Sequence, residues 1–299
     1  MLESAHFDIA LPATFGIPGL VESGAISRLD DLASRYEPAG FKEQFLYPIA
    51  NLYKDNFYGY LTDGDSYLAF YNGKMLNDPW ERQAYKEKYG SELGIPQTWA
   101  ELDRIAEFFY RPDQKMYGGS LYRTHNYIVW EFWMRFHAKG YYPLDQEMRP
   151  QINNDAGVAA LEELIAVSRY LDPAVNSNEF FNNIQSFSEG NRFANFGWGG
   201  PYKFFIGDNS AIREHLITAI PPGGVIDGQV VRMPYNNWGW NYTISSYTQH
   251  REIAYLYTLY AASPAGSRIA LTQGVGGGGW IFRSLSEVAY HRSPDSGDL

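Results

Sequence analysis

The sequence predicts an α/β fold large enough for two lobes, on three observations. Segments patterned as strands alternate with segments of helical period along most of the chain, the order that α/β architecture produces. The 299 residues are enough for two lobes of ordinary domain size, each with its own core. Hydrophobic residues make up 45% and charged residues 19%, the balance of a soluble globular chain.

The elements follow in order. His6–Leu11 reads as a short strand that stops at Pro12. After the Ser23-Gly24 turn, the stretch ISRLDDLASRY up to Tyr36 has helical character. Phe41–Asn56 reads as helix and loop, and Asn56–Asn72 as strand, turn, strand around Thr62-Asp63-Gly64-Asp65, a clear turn signal. A charged spacer follows. Thr98 with Glu101 three residues on forms a capping box ahead of Leu102, Ile105, Ala106 and Phe109 at helical spacing. Tyr127–Lys139 is an aromatic helix closed by Gly140. Asn154 caps a helix to Tyr170 whose apolar face is Val158, Leu161, Leu164, Ile165 and Val167. Phe180–Gly190 is a helix leading into the strand Arg192–Trp198. His215–Ile220 and Asn241–Ser246 are strands, His250–Ala262 a helix, and Ala265–Thr272 a short helix before a run of five glycines between Gly274 and Gly279.

Composition narrows the function classes. The formal net charge is −10 and the pI near 5.1. No Lys/Arg run supplies the basic footprint that nucleic acid or an anionic membrane needs. With no cysteine, disulfides, thiolate metal sites and cysteine nucleophiles are excluded. Aromatic content is 17%, from 24 Tyr, 18 Phe and 8 Trp; part is core, and the surplus suits a site that stacks on sugar rings. No apolar run approaches the ~18–20 residues that span a bilayer. The N-terminus has no basic region before an apolar stretch, so any export signal is expected outside this sequence.

Motifs for other chemistry are missing. The run GVGGGG is not followed by Gly-Lys-Ser/Thr, so it is no phosphate loop. The six histidines show no paired ligand spacing, and no Gly-x-Ser-x-Gly elbow occurs. No metal and no cofactor is expected. Asp63 and Asp65 share one turn; two carboxylates keep a glycoside hydrolase open as the enzyme alternative, although one turn does not guarantee opposite sides of a scissile bond.

Several segments carry a resemblance in their order and spacing: YGYLTDGDSYLAFYNGKML followed by GIPQTWAELDRIAEFF, then KMYGGSLYRTHNYIVWEFWMRFHAKG, FSEGNRFANFGWGGPY, AIPPGG, and NWGWNYTISSYTQHREIAYLYTLYAASPAG. Together they cover nearly the whole chain, and it resembles the family 1 extracellular solute-binding proteins of ABC importers, the group that includes maltose- and sugar-binding proteins. The resemblance implies a two-lobed periplasmic-binding-protein fold of type II, each lobe a mixed sheet flanked by helices, with a hinge of crossing strands. It assigns residues 1–65 and 230–275 to lobe one, and 66–229 and 276–299 to lobe two. Relatives carry a strand-helix unit before the HFDIAL strand and further helices after the last, so the chain is expected to be abbreviated at both ends.

The resemblance also implies a binding protein, not an enzyme. It is expected to be a monomer that captures a small solute, a sugar or oligosaccharide, in a cleft between lobes and delivers it to ABC permease subunits. The compartment is the periplasm or the extracellular space. Trp198 is the leading candidate contact: Gly197, Gly199 and Gly200 give it little local cover, although core packing is an alternative. Asp63 and Asp65 can accept sugar hydroxyls or simply cap an Asx turn. His125 and Tyr127 enter the aromatic helix where relatives place a polar residue and an aromatic; each has a structural alternative. Trp238 and Trp240 flank Gly239 and share a face if extended. Arg283 follows the glycine run and can bond a hydroxyl or form a surface ion pair. Thr14 lies just beyond the first strand, where loops of α/β proteins reach ligands.

Overall fold

The computed structural model describes residues 7–45, 52–62, 67–147, 149–232, 239–266 and 269. In chain order the elements begin with β1 (Ile9–Ala10), α1 (Ile17–Glu22), α2 (Asp30–Tyr36), β2 (Leu52–Tyr53), β3 (Asn56–Phe57), β4 (Gly59–Leu61) and β5 (Tyr67–Asn72). Next come α3 (Gly73–Asn77), α4 (Pro79–Tyr89), α5 (Trp99–Phe108), β6 (Tyr117–Gly119), α6 (Ile128–His137), α7 (Asp155–Ser168), α8 (Phe180–Ser188) and β7 (Arg192–Trp198). The chain continues through α9 (Tyr202–Phe205), β8 (Leu216–Ala219), β9 (Gly224–Ile226), β10 (Gln229–Val231), β11 (Asn241–Ile244) and α10 (Arg251–Ala261). The described residues form two units: unit one from Met1–Ser66 with Asn237–Leu299, and unit two from Tyr67–Asn236.

Unit one is built on a three-stranded antiparallel sheet in the order β1-β11-β4. Its core gathers Leu29, Leu32, Phe41, Phe57, Tyr60, Ile244 and Tyr255. Tyr60 lies at the centre, edge-on to Phe41 at 5.3 Å and to Phe57 at 4.9 Å, a favoured aromatic geometry. Its buried hydroxyl is satisfied by the Tyr255 hydroxyl at 2.6 Å and by donation to Glu37. Burial pushes the Tyr255 phenol up to about 12, so this pair stays neutral and hydrogen-bonded at physiological pH. Gly59 is fixed by close approach: a Cβ there would meet the Tyr242 carbonyl oxygen at 2.5 Å.

Unit two has a four-stranded sheet in the order β6-β7-β5-β8, with β6 parallel to β7 and the other pairs antiparallel. β7 is buried along its first six residues, including Arg192 and Asn195, which are both hydrogen-bonded inside the unit. Tyr71 on β5 stacks on Phe193 of β7 at 5.3 Å, and Phe109 stacks on the other side of Phe193, also at 5.3 Å. Asn72 ends β5 and does two jobs. Its Oδ1 caps α3 through the amides of Lys74 and Met75, and its Nδ2 donates to the Gly190 carbonyl just before β7.

The predicted elements from α5 onward are largely present. The Thr98/Glu101 capping box closes as read from the sequence, with both reciprocal bonds formed. Thr98→Ala is therefore expected to lower the stability of unit two by about 1 kcal/mol, measured as a shift of the urea midpoint at unchanged slope.

Other readings are corrected. On α7 the buried residues are Gly157, Ala160, Leu164 and Val167. Val158, Leu161 and Ile165, assigned to the apolar face, are 55%, 49% and 60% exposed. The helix carries two apolar stripes, and packing against α5 and α6 selects the one with small residues, which lets backbones approach. The charged spacer is α4, capped by Asp78 and ended by Gly90 at φ +69°. It buries only Tyr85, so it has almost no apolar period to detect. In the Phe41–Asn56 stretch, read as helix and loop, a 3-10 turn at Lys42–Gln44 is present and the end of the stretch forms the strands β2 and β3, while residues 46–51 lie outside the described residues. The β9–β10 hairpin turns on Asp227-Gly228, both at positive φ; Asp-Gly between β-branched residues is a strong hairpin signal that the sequence reading passed over.

Candidate functional site

Unit two gathers an aromatic patch at the end of β7. Trp198 is the last residue of that strand and pairs in register with Tyr67, the first of β5. The Tyr67 ring meets it edge-on at 5.2 Å. Trp130 lies at 6.0 Å, Phe180 at 6.1 Å and Tyr127 at 6.4 Å. Tyr127 is stacked on buried Tyr122 at 4.8 Å and 28°. Trp198, Tyr127, Trp130 and Phe180 are all half-buried, so the patch is packed on one side and open on the other. Trp198 packs against the core of unit two and is half-buried.

Local chemistry positions these rings. Segment 120–127 is fastened by a buried amide network. The Asn195 Nδ2 on β7 donates to the Ser120 carbonyl at 2.7 Å and to Asn183 Oδ1 at 2.5 Å, and Ser120 Oγ donates to the same Asn183 oxygen at 3.0 Å. The Thr124 carbonyl then accepts from the amides of Tyr127 and Ile128 and starts α6. Burial pushes the Tyr122 phenol well up, and burial followed by the nearby Glu179 carboxylate pushes the Tyr127 phenol up. Both hydroxyls are therefore neutral donors. The Tyr122 hydroxyl is buried and donates to the Phe180 carbonyl, so the patch offers apolar rings and the neutral Tyr127 hydroxyl, which suits a neutral hydroxylated ligand.

His125 is exposed two residues before Tyr127, in the loop that carries the patch. The sequence reading did not find Tyr67, Trp130, Phe180 or Glu179. The i, i+3 spacing of Tyr127 and Trp130 on one helix face was an available signal. The register of Tyr67 with Trp198 was not, because it depends on strand pairing.

Unit one brings Thr14 and Trp240 together at one end of its sheet. The Thr14 amide and Oγ1 both donate to the Gly239 carbonyl at 2.8 Å. Trp240 bridges to Ala13, and its carbonyl accepts from the Thr62 amide at 2.8 Å. Asn241 Nδ2 donates to Thr14 Oγ1 at 3.2 Å, so the Thr14 hydroxyl is committed to the backbone and to Asn241. The buried atoms Asn241 Oδ1 and Thr62 Oγ1 have no hydrogen-bond partner, an arrangement that favours a polar occupant nearby. Phe15, beside Thr14, is 69% exposed. Asp63, Asp65, Trp238 and Arg283 lie outside the described residues.

Among the described residues no group of three or more His, Cys, Asp or Glu side chains could hold a metal ion, and no helix is long and apolar enough to cross a membrane.

Comparison with solved structures shows the fold. Maltose-bound T. maritima MalE3 superposes with a TM-score of 0.72 at 18% identity, over 91% of this chain and 66% of that one. The ABC transporter solute-binding protein of Agrobacterium vitis S4 with bound D-mannitol gives 0.69 at 18%, over 90% and 62%. The solute-binding protein of Thermotoga lettingae TMO with α-D-tagatose gives 0.72 at 19%, over 94% and 70%. The chain thus spans 62% and 66% of the length of the first two. The fold class is that of the two-lobed periplasmic binding proteins, built here from mixed sheets and helices. No curated protein matches. The family model for bacterial extracellular solute-binding proteins matches residues 3–267, and the chain belongs to that family.

Proposed function

We propose that this chain captures a small neutral, hydroxyl-rich solute, a sugar or polyol, outside the cytoplasm and delivers it to the permease of an ABC importer. The observation that carries this reading is the half-open aromatic patch around Trp198, next to the neutral phenol of Tyr127. Rings stack on the apolar faces of sugars, while hydroxyl groups of the ligand exchange hydrogen bonds with Tyr127. Family membership, and relatives solved with maltose, D-mannitol and α-D-tagatose, support the same class. In unit one, Trp240 and the unpartnered polar atoms of Asn241 and Thr62 are candidate further contacts. His125, Thr14, Asp63, Asp65, Trp238 and Arg283 stand as proposed contacts with less support, since Thr14 is already committed and His125 is exposed. The chain acts by binding, as a monomer, without turnover.

The test is a titration of the chain with maltose, D-mannitol and D-tagatose, read by tryptophan fluorescence, alongside incubation with nitrophenyl glycosides. Saturable fluorescence change with at least one of the three, and no release of nitrophenol, is the expected result. Steady nitrophenol release, or no response to any of the three, contradicts the proposal. A bound solute at 100 times its Kd is also expected to raise stability by about 2.7 kcal/mol.

A further inference from the structure

A second concavity lies in unit two, beside α8 and next to the Trp198 patch, since the Phe180 and Phe181 rings touch edge-on at 5.0 Å. Consecutive residues of α8 face the two places: Phe180 is 6.1 Å from the Trp198 ring, whereas Phe181 is 6.3 Å from Phe204 on α9. The groove between α8 and the segment 204–211 holds about 450 Å³, within the range of small-molecule sites. Phe181 and Phe204 form one wall, exposed by 38% and 41%, and Ile184 is buried below them. Gln185, Asn209 and Ser210 supply the polar lining. The Ser210 Oγ is buried and has no hydrogen-bond partner, a cost that a ligand hydroxyl would remove once the side chain turns toward the groove.

The groove is held open by its frame. The Ala211 amide donates to the Ser188 carbonyl at 2.8 Å, which clips the segment to the end of α8. Gly190, at φ +82°, lets that segment come close, since a Cβ there would lie 3.1 Å from the Ala211 Cβ. The buried cluster of Phe70, Phe187, Phe205 and Ile212 supports the floor. Among the described residues no Lys or Arg lines the groove, and Glu189 does, so an anion is disfavoured. Two aromatic rings tilted by 57°, an amide pair and one buried hydroxyl instead match a neutral ring that carries hydroxyls.

We propose that this groove is a second binding site, for a neutral pyranose-like ligand whose apolar face lies on Phe181 and Phe204 and whose hydroxyls meet Ser210, Gln185 and Asn209. The side-chain amides of Gln185 and Asn209 are native reporters. The experiment titrates D-glucose into the whole chain and follows those two NH2 groups by proton–nitrogen NMR. The expected result is a saturable shift of both, weakened about tenfold or more (about 1.4 kcal/mol) in Phe204→Ala and in Ser210→Ala. The same shift persists in Trp198→Ala, which separates this groove from the patch. Phe204 is well exposed, so its truncation leaves the fold intact; if the Phe204→Ala spectrum does collapse, Ser210→Ala alone decides. The proposal is overturned if neither amide moves in the parent, if Ser210→Ala titrates like the parent, or if Trp198→Ala abolishes the shift.

Discussion

Arg135→Ala is expected to destabilise unit two by about 3–5 kcal/mol, because it strands buried carboxylates. The Arg135 side chain is fully buried on α6. Its guanidinium binds both oxygens of Asp103 on α5 at 2.9 and 2.6 Å, and donates through Nε to Glu131 at 2.9 Å. It also lies over the Trp99 ring, 4.5 Å from the centroid. Arg123 reaches the other oxygen of Glu131 at 2.7 Å. Burial opposes ionisation of Glu131, but the charges of Arg123 and Arg135 outweigh it and hold the carboxyl below its ordinary value of 4.5.

Asp103 is held above its ordinary value by burial in spite of Arg135, so the lowered value of Glu131 sets the Glu131 share of the pH dependence. A carboxyl with a lowered folded value contributes stability above its unfolded value, and the contribution disappears as pH falls through the folded one. The gap between parent and Arg135→Ala is therefore widest near neutrality and narrows below about pH 4.5. Urea unfolding of both proteins across pH 3–8 checks it. A gap that stays constant with pH would show that lost packing, and not stranded charge, is the cause.

Trp198→Ala is expected to weaken solute binding by at least about 2 kcal/mol, roughly 30-fold, the scale of an aromatic hot spot. Four rings converge on Trp198 from β5, α6, the residue that precedes α6, and α8. They hold its indole in one orientation before ligand arrives, so little ordering cost remains. Trp198→Phe keeps a flat apolar face and should retain most of the affinity. Because the chain has eight tryptophans, calorimetry reads the variants more cleanly than fluorescence does.

The contrast between these residues shows what the sequence could and could not reveal. The place of Trp198 at the end of β7 was legible because a strand pattern ended in a ring flanked by glycines. The family resemblance placed it as well, and the α5 capping box was visible as four residues. The rest of the patch was hidden, since Tyr67 reaches Trp198 through strand register and Phe180 reaches it from another helix. Arg135 escaped notice for a related reason. Its Glu131 partner at i−4 looks like any exposed helix pair, and only burial by α5 and α7 makes it critical. On α7 the pattern contained two candidate apolar stripes, and tertiary packing chose between them. Thr14 was read only as a loop residue beyond the first strand, and its hydroxyl is engaged with Gly239 and Asn241, contacts that depend on strand pairing.

The central claim is that this chain holds a neutral hydroxylated solute against the Trp198 patch. Calorimetric titration of parent and Trp198→Ala with whichever of maltose, D-mannitol or D-tagatose binds tests it most directly. The account predicts saturable binding by the parent and affinity at least roughly 30-fold weaker in the variant. Equal affinity in the two proteins would contradict it.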